Sequence, residues 1–225
     1  MADEYKLITN CTVDDAVGLS QAKFESFAQE PWWTSEFPAD RSESIPDSMI
    51  LREPYNQLTG RNIRRHQKVI HVPTGEIVGY ARWFVPTAED WPEAQTPGVS
   101  AEQESRWKSQ FDGAYWHFVE DGLGTDDHVS AWRAAYTPTG PVISLEYLCC
   151  KQAHQKRGVG SLLLRSGCEK ADELQVPITI YAMGEKARDA YLKHGFKKLA
   201  EKHQDLRPFR DAVYHTYWMV RQPRK

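Results

Sequence analysis

Hydrophobic spacing along the chain switches between a period of two and a period near 3.6, and each switch marks an element boundary. Residues 4–10 predict a short opening strand. Thr12 and Asp15 give a capping-box-like helix start, and apolar residues at Val13, Ala16, Val17, Phe24, Phe27 and Ala28 continue at helical spacing. The stretch from Pro31 to Pro54 is rich in Pro, Ser and charge and is expected to be irregular, with one short helix. Two strands follow at 68–72 (Lys-Val-Ile-His-Val) and 76–85, and Pro73-Thr74-Gly75 turns them into a β-hairpin.

From Pro86 to Pro138 the pattern changes. Trp107, Phe111, Ala114, Tyr115 and Phe118 fall on one stripe and predict an amphipathic helix. Around it lie Glu102, Glu104, Asp112, Glu120, Asp121, Asp126 and Asp127 against Arg106 and Lys108, so the segment reads as an acidic insertion. One helix cannot build its own core, which argues against a separate domain. The acidic side is either a solvated face or a lip that attracts a cationic amine. After Pro141 the order is a strand at 142–150, a helix from about Gly158 to Leu174 and a strand at 178–182. A helix from Glu185 to His194 and strands at 196–200 and 213–220 complete the chain.

At 225 residues the chain is long for one ordinary domain and short for two. We expect one domain over 1–225 with the insertion at about 86–138. Apolar residues at 40% and charged residues at 26% are globular values. Apolar runs are far shorter than the roughly 20 residues that span a bilayer. The acidic N-terminus has no apolar signal-like run. A soluble, cytoplasmic protein is therefore expected. The net charge of −3 sets up no field for nucleic acid or an anionic membrane, and neither is expected as a partner. The four cysteines (Cys11, Cys149, Cys150 and Cys168) lack zinc-site spacing and are expected to be free thiols, mostly buried. The eight histidines form no ligand motif, and no metal is expected. Eight tryptophans are many for this length, and those of 83–118 fit either extra core or an acceptor pocket.

Candidate chemistry concentrates in Gln155-Lys156-Arg157-Gly158-Val159-Gly160-Ser161, where an apolar strand passes through a basic loop into a helix. Glycines at a helix start let backbone amides approach a bulky anion without Cβ interference. The unpaired amides and the positive end of the helix dipole then face it. Lys151, Lys156 and Arg157 add charge, making a pyrophosphate cradle. The Lys-Ser/Thr ending of a P-loop and the dinucleotide fingerprint are both absent, so neither nucleotide hydrolysis nor dinucleotide binding is favoured.

Gln155-x-x-Gly158-x-Gly160 resembles the Gln/Arg-x-x-Gly-x-Gly/Ala signature of the GNAT N-acetyltransferase superfamily. Ala187-x-x-Ala190-Tyr191-x-x-x-Gly195-Phe196 resembles the family's Ala-x-x-Leu-Tyr-x-x-x-Gly-Phe segment. Element order agrees over 68–85 and 141–220 and, in outline, over the first 30 residues, while 86–138 has no counterpart in the minimal pattern. The resemblance implies an α/β (mixed α+β) fold with a central, mostly antiparallel twisted sheet, a splayed strand pair and flanking helices. It implies acetyl-CoA as co-substrate and transfer to a primary amine by direct attack in a ternary complex.

Residue by residue, the resemblance implies that Gln155, Lys156, Arg157, Gly158, Val159, Gly160 and Ser161 hold the coenzyme A pyrophosphate. Leu148, Cys149 and Cys150 would flank the pantetheine at a bulged strand, with the Cys150 amide donating to the thioester oxygen. Lys186, Ala187, Ala190 and Tyr191 would complete the coenzyme site. Tyr191 is the candidate general acid for the departing thiolate, and Glu146 the candidate general base. Glu146 lies four residues before Cys150, so strict alternation puts both on one face. A carboxylate in an apolar strand also needs a partner. Trp83, Trp116 and Glu146 are the candidate acceptor contacts. One departure stands out: Gly184 occupies a position where the family often has Asn.

The acceptor expected is a small amphipathic amine. A protein or peptide amine is the alternative, as is a non-catalytic coenzyme A-binding module. Either a monomer or a homodimer fits.

Overall fold

The computed structural model describes residues 4–37, 44–116, 128–205 and 213–224. Seven strands form one sheet: β1 (Tyr5–Ile8), β2 (Arg64–His71), β3 (Glu76–Phe84), β4 (Ile143–Cys150), β5 (Ile178–Met183), β6 (Lys197–Asp205) and β7 (Val213–Arg221). Their spatial order is β1-β2-β3-β4-β5-β7-β6. Every neighbouring pair is antiparallel except β4 and β5, which run parallel.

Helices cover both faces. The described helices are α1 (Ala16–Phe27), α2 (Pro31–Glu36), α3 (Ile45–Leu58), α4 (Ala101–Gly113), α5 (Val129–Tyr136), α6 (Val159–Leu174) and α7 (Glu185–Lys193). Asp15 opens the first helical segment by accepting the Thr12 amide at 2.8 Å, one limb of the expected box. The segment 31–54 is more ordered than its composition suggests, holding all of α2 and most of α3. Pro31 and Pro46 sit at helix starts, where no amide partner is lost. Pro54 is tolerated inside α3, which is anchored by burial of Ile45, Met49, Glu53 and Leu58.

The insertion also departs from the expected pattern. Its first helix, α4, ends at Gly113, so Ala114 and Tyr115 lie beyond it, and none of its residues is buried. Phe118, Glu120, Asp121, Asp126 and Asp127 lie outside the described residues. A second helix, α5, precedes Pro138. Among the described residues no helix is long and apolar enough to cross a membrane.

The largest core lies between the sheet and α6. Val69, Ala81, Trp83, Ile143, Leu145, Leu163, Leu164, Ile178, Ile180 and Met219 fill it. Two glycines set the helix–sheet distance. A Cβ on Gly79 of β3 would stand 2.5 Å from Val159, and one on Gly167 of α6 would stand 2.2 Å from the Trp83 ring. On the other face, a smaller cluster of Cys11, Leu19, Ala22, Tyr80 and Cys149 packs beneath α1.

Candidate active site

The loop into α6 has the geometry that an anion cradle needs. Lys156 and Gly158 both adopt positive φ, 59° and 92°. Successive amides in such a turn converge on one side. The first α6 bond at this end runs from the Leu162 amide to the Gly158 carbonyl at 2.9 Å, so the amides of Val159, Gly160 and Ser161 precede the ladder. A Cβ built at Gly158 or at Gly160 would meet nothing within 4 Å, so open space stands beside these two glycines. A pyrophosphate fits this loop. Its charge comes from Lys156 and Arg157, both exposed; Arg157 lies 3.6 Å from Glu4.

Lys151 does not share that task. Its ammonium is buried and held by Glu76 at 2.5 Å and Glu25 at 2.9 Å, tying β4 to β3 and α1. The neighbouring His154 accepts or donates at Tyr5, 2.9 Å away. Two carboxylates already neutralise Lys151, which makes it a structural clamp behind the loop.

Beside the cradle the sheet opens. β4 and β5 pair only at Ile143–Ile178, Ser144–Thr179 and Leu145–Ile180. Beyond these residues the two strands separate into a wedge. The Lys151 amide donates to Val78 at 2.9 Å, so alternation along an antiparallel pair turns the Cys150 amide away from β3 and into the wedge. The Cys150 carbonyl faces the same way and accepts the Gln155 side-chain amide at 3.3 Å. Gln155 thereby links the strand end to the cradle. The Cys150 thiol is half-buried and its pKa is pushed up to about 12 by desolvation, which makes it a poor nucleophile at neutral pH. All four cysteines are free thiols.

Tyr191 comes from α7 into the large core, where Leu148, Cys150 and Ala187 also pack. Its ring lies 5.6 Å from Phe196. Burial pushes the phenol well above its ordinary value, so it stays protonated across the neutral range. Ser161 is contacted by His194 at 3.3 Å, while Lys186 is exposed at the start of α7. Gly184 before α7 has φ 86° and ψ 163°, a conformation open in practice only to glycine. This backbone accounts for the absence of the family's Asn.

Glu146 sits at a bulge. Arg82 pairs with Tyr147 and Trp83 with Leu145, leaving Glu146 as the extra residue of β4. The shared face expected for Glu146 and Cys150 fails here, because a bulge resets the alternation. Leu148 and Cys150 pack toward α6, whereas Tyr147 and Cys149 pack toward α1. Glu146 is 31% exposed, and its Oε2 lies 2.6 Å from Arg82 Nε. That arginine is the partner a carboxylate in this strand requires.

Beneath Arg82 the α1 face carries further buried polarity. Lys23 bonds both oxygens of Glu53 at 2.7 and 2.6 Å, and Gln57 adds a bond at 2.5 Å. The Lys23 ammonium lies 4.4 Å from the Tyr80 ring centre and 5.4 Å from that of Tyr147. His66 meets the Tyr80 hydroxyl at 2.8 Å, and burial holds its imidazole neutral. Lys23, Glu53, Arg82 and Tyr147 carry no signal in the sequence that marks them for this site. The apolar spacing of β3 and β4 contains the charges of Arg82 and Glu146, but only the register makes them a pair.

The two tryptophans assigned to the acceptor part company. Trp83 is wholly buried under α6 and donates to Gln67 at 3.2 Å, so it is a core residue and not an acceptor contact. Trp116 lies on the α1 side in an aromatic cluster with Trp33 and Phe37, its ring 5.3 Å from Phe37 and 5.0 Å from the Arg52 guanidinium. Phe27 connects this cluster to β4, meeting Tyr147 edge-on at 5.2 Å.

Comparison with known proteins agrees with this fold. Residues 28–196 match the model of the acetyltransferase (GNAT) family. No curated protein matches the chain. Among solved structures, histone acetyltransferase HPA2 and related acetyltransferase from Corynebacterium glutamicum is similar at 19% identity and a TM-score of 0.61, with 99% of this chain and 98% of that one covered. A polyamine N-acetyltransferase of Drosophila melanogaster is 11% identical with a TM-score of 0.57, covering 97% and 99%. A mosquito arylalkylamine N-acetyltransferase-like protein is 9% identical with a TM-score of 0.57 and the same coverage. At these identities the structural likenesses speak for the fold.

Proposed function

Given that the chain belongs to the acetyltransferase (GNAT) family, we propose that it transfers the acetyl group of acetyl-CoA to a primary amine of a small molecule, by direct attack in a ternary complex. The observation that carries this reading is the wedge between β4 and β5, which opens beside free helix-start amides and the open space at Gly158 and Gly160. Bound acetyl-CoA supplies an activated thioester carbonyl. The amides from Gln155 to Ser161 bind its pyrophosphate, helped by Lys156 and Arg157. Leu148 and Cys150 present their backbone edges to the pantetheine, and the Cys150 amide stabilises negative charge on the carbonyl oxygen.

Tyr191 donates its proton to the leaving sulfur. A phenol kept protonated by burial suits that step. Glu146 receives the acceptor: its partly exposed carboxylate, oriented by Arg82, attracts a cationic amine and takes a proton from it, directly or through water. The Drosophila melanogaster polyamine N-acetyltransferase of the same fold forms N-acetylagmatine, which favours this acceptor class.

The test is thiol release from acetyl-CoA with and without a pooled panel of amines, run beside Tyr191→Phe. Amine-dependent release that collapses in the variant is the expected result. Coenzyme A binding without any release would leave a binding module and overturn the acetyl-transfer mechanism.

A further inference from the structure

A buried guanidinium needs acceptors for its five N–H donors, because water no longer supplies them. Arg65 of β2 is wholly buried and meets that need: its three nitrogens donate to backbone carbonyls at 2.7 to 3.3 Å. Arg221 of β7 sets two nitrogens on Asp172 at 2.8 and 2.7 Å. Arg82 of β3 does neither. Its side chain is only 16% exposed, yet among the described residues it makes no hydrogen bond. Nε approaches Glu146 Oε2 at 2.6 Å, but its N–H is not aimed along that line, so the contact is an ion pair alone.

The outer end of the guanidinium is open. Nε is fully enclosed, whereas Nη1 and Nη2, equally unbonded, are not. The Tyr147 ring lies 5.5 Å away and offers no acceptor for a donor fork. Nearby acceptors are spent: Glu53 takes Lys23 at 2.7 and 2.6 Å and Gln57 at 2.5 Å, and the Tyr80 hydroxyl meets His66 at 2.8 Å. Arg82 and Glu146 therefore stand at the β4 bulge as touching charges of opposite sign. One has an unused donor fork, the other a partly exposed carboxylate. Such a pair is complementary to a molecule that presents both signs side by side. With Lys23 and Glu53 beneath it the four charges cancel. A zwitterion adds no net charge to that set, whereas a polyamine adds positive charge that nothing there offsets.

We propose that Arg82 binds a carboxylate of the acceptor while Glu146 receives its amino group, so that the acceptor is an α-amino acid. The assignment rests on the amine-transfer reading above and narrows its small amines to those carrying an adjacent carboxylate. Nη1 and Nη2 donate two parallel bonds to the carboxylate, a geometry particular to arginine. The amino group and carboxylate of an α-amino acid share one carbon, which suits a cation and an anion in contact. In the transfer, two protons leave the ammonium nitrogen by way of Glu146 as it bonds to the acetyl carbon. The carbon–sulfur bond breaks, and the sulfur takes a proton from Tyr191, which solvent restores. The products are the N-acetyl amino acid and coenzyme A.

The experiment uses matched probes that differ only in the carboxylate, L-arginine against agmatine and L-phenylalanine against phenethylamine, in the thiol-release assay. Charge-assisted bonds to the carboxylate are expected to give the amino acid roughly a tenfold or greater advantage in kcat/KM. Arg82→Lys keeps the charge beside Glu146 but loses the fork, and should erase that advantage chiefly through the amino acid's KM. Thermal unfolding checks that the variant folds, and the wild-type ratio decides alone if it does not. A wild-type protein that turns over the decarboxylated amine as well as its amino acid overturns the assignment and leaves amine transfer standing. An Arg82→Lys variant that slows both members of a pair equally also overturns it, since that marks a residue that only orients Glu146. Coenzyme A binding by calorimetry without release from these four probes or the amine pool removes the amine-transfer reading, and Arg82's role with it.

Discussion

The two faces of the sheet are built by different physics. On the α6 face, contacts are apolar and fitted at the level of the backbone, with glycines at 79 and 167 letting a helix settle on β3 and on the Trp83 ring. On the α1 face, charge takes part: Lys23 and Glu53 are buried together, Arg82 pairs with the partly exposed Glu146, and tyrosines lie between them. The donor site we propose belongs to the first construction and uses peptide amides, which every sequence has. The acceptor site we propose draws on the second, through Arg82 of β3 and Glu146 of β4. A fixed donor and a particular acceptor can share one sheet because each is served by its own face.

The largest expected effect lies on the α6 face. Tyr191→Phe should lower kcat by roughly 10²–10⁴ with little change in coenzyme affinity, measured by steady-state thiol release. Since burial raises the phenol's pKa, the wild-type pH–rate profile should show no alkaline limb from Tyr191 up to its ordinary value of 10.

Two core substitutions then set the faces against each other. Trp83→Ala should cost about 3–5 kcal/mol through a cavity under α6. Lys23→Met should cost a similar ~3–5 kcal/mol, because it strands the Glu53 carboxylate without its cation. The faces differ in repair. Adding Glu53→Leu to Lys23→Met should restore most of the loss in urea unfolding, since an apolar pair can replace a buried ionic one. A double variant as unstable as the single one would mean that the α1 face is held by packing, as the α6 face is.

Gly167→Ala gives a smaller effect of opposite sign to its helix propensity. Alanine gains about 1 kcal/mol in a helix interior, but its methyl meets an immobile buried indole, and overpacking of that kind costs about 1–3 kcal/mol. We expect a net fall in melting temperature.

The smallest effect is at the end of α6. Asp172 accepts both arms of Arg221 at 2.8 and 2.7 Å, and these bonds hold its carboxyl below the ordinary 3.8. A depressed carboxyl contributes stability that is full above its unfolded value and fades as pH falls through the folded one. Asp172→Asn should therefore lower the melting temperature at neutral pH and flatten its decline below about pH 4.

Legibility follows the same division. The glycine-bearing helix start at Gln155–Ser161 is readable because Gly158 and Gly160 stand in a motif resembling the family's, and the elements from 141 onward follow their apolar spacing within a few residues. α3 is hidden by prolines that composition counts as breakers but position makes harmless. Trp83 reads equally as core or as acceptor contact, because a tryptophan carries no mark of which face of a strand will be covered. The alternation argument for Glu146 fails at a single extra residue, a bulge that spacing cannot reveal.

By itself, the sequence determined the family and the order of the seven strands, because those depend on local patterns: the glycine-bearing helix-start motif and the period of apolar residues. The tertiary structure alone decided that β4 and β5 part after Leu145, that Arg82 meets Glu146, and that Phe27 of α1 meets Tyr147 of β4. These are encounters between residues far apart in the chain, and their free energies arise only once strand register and helix docking have brought the groups within reach of one another.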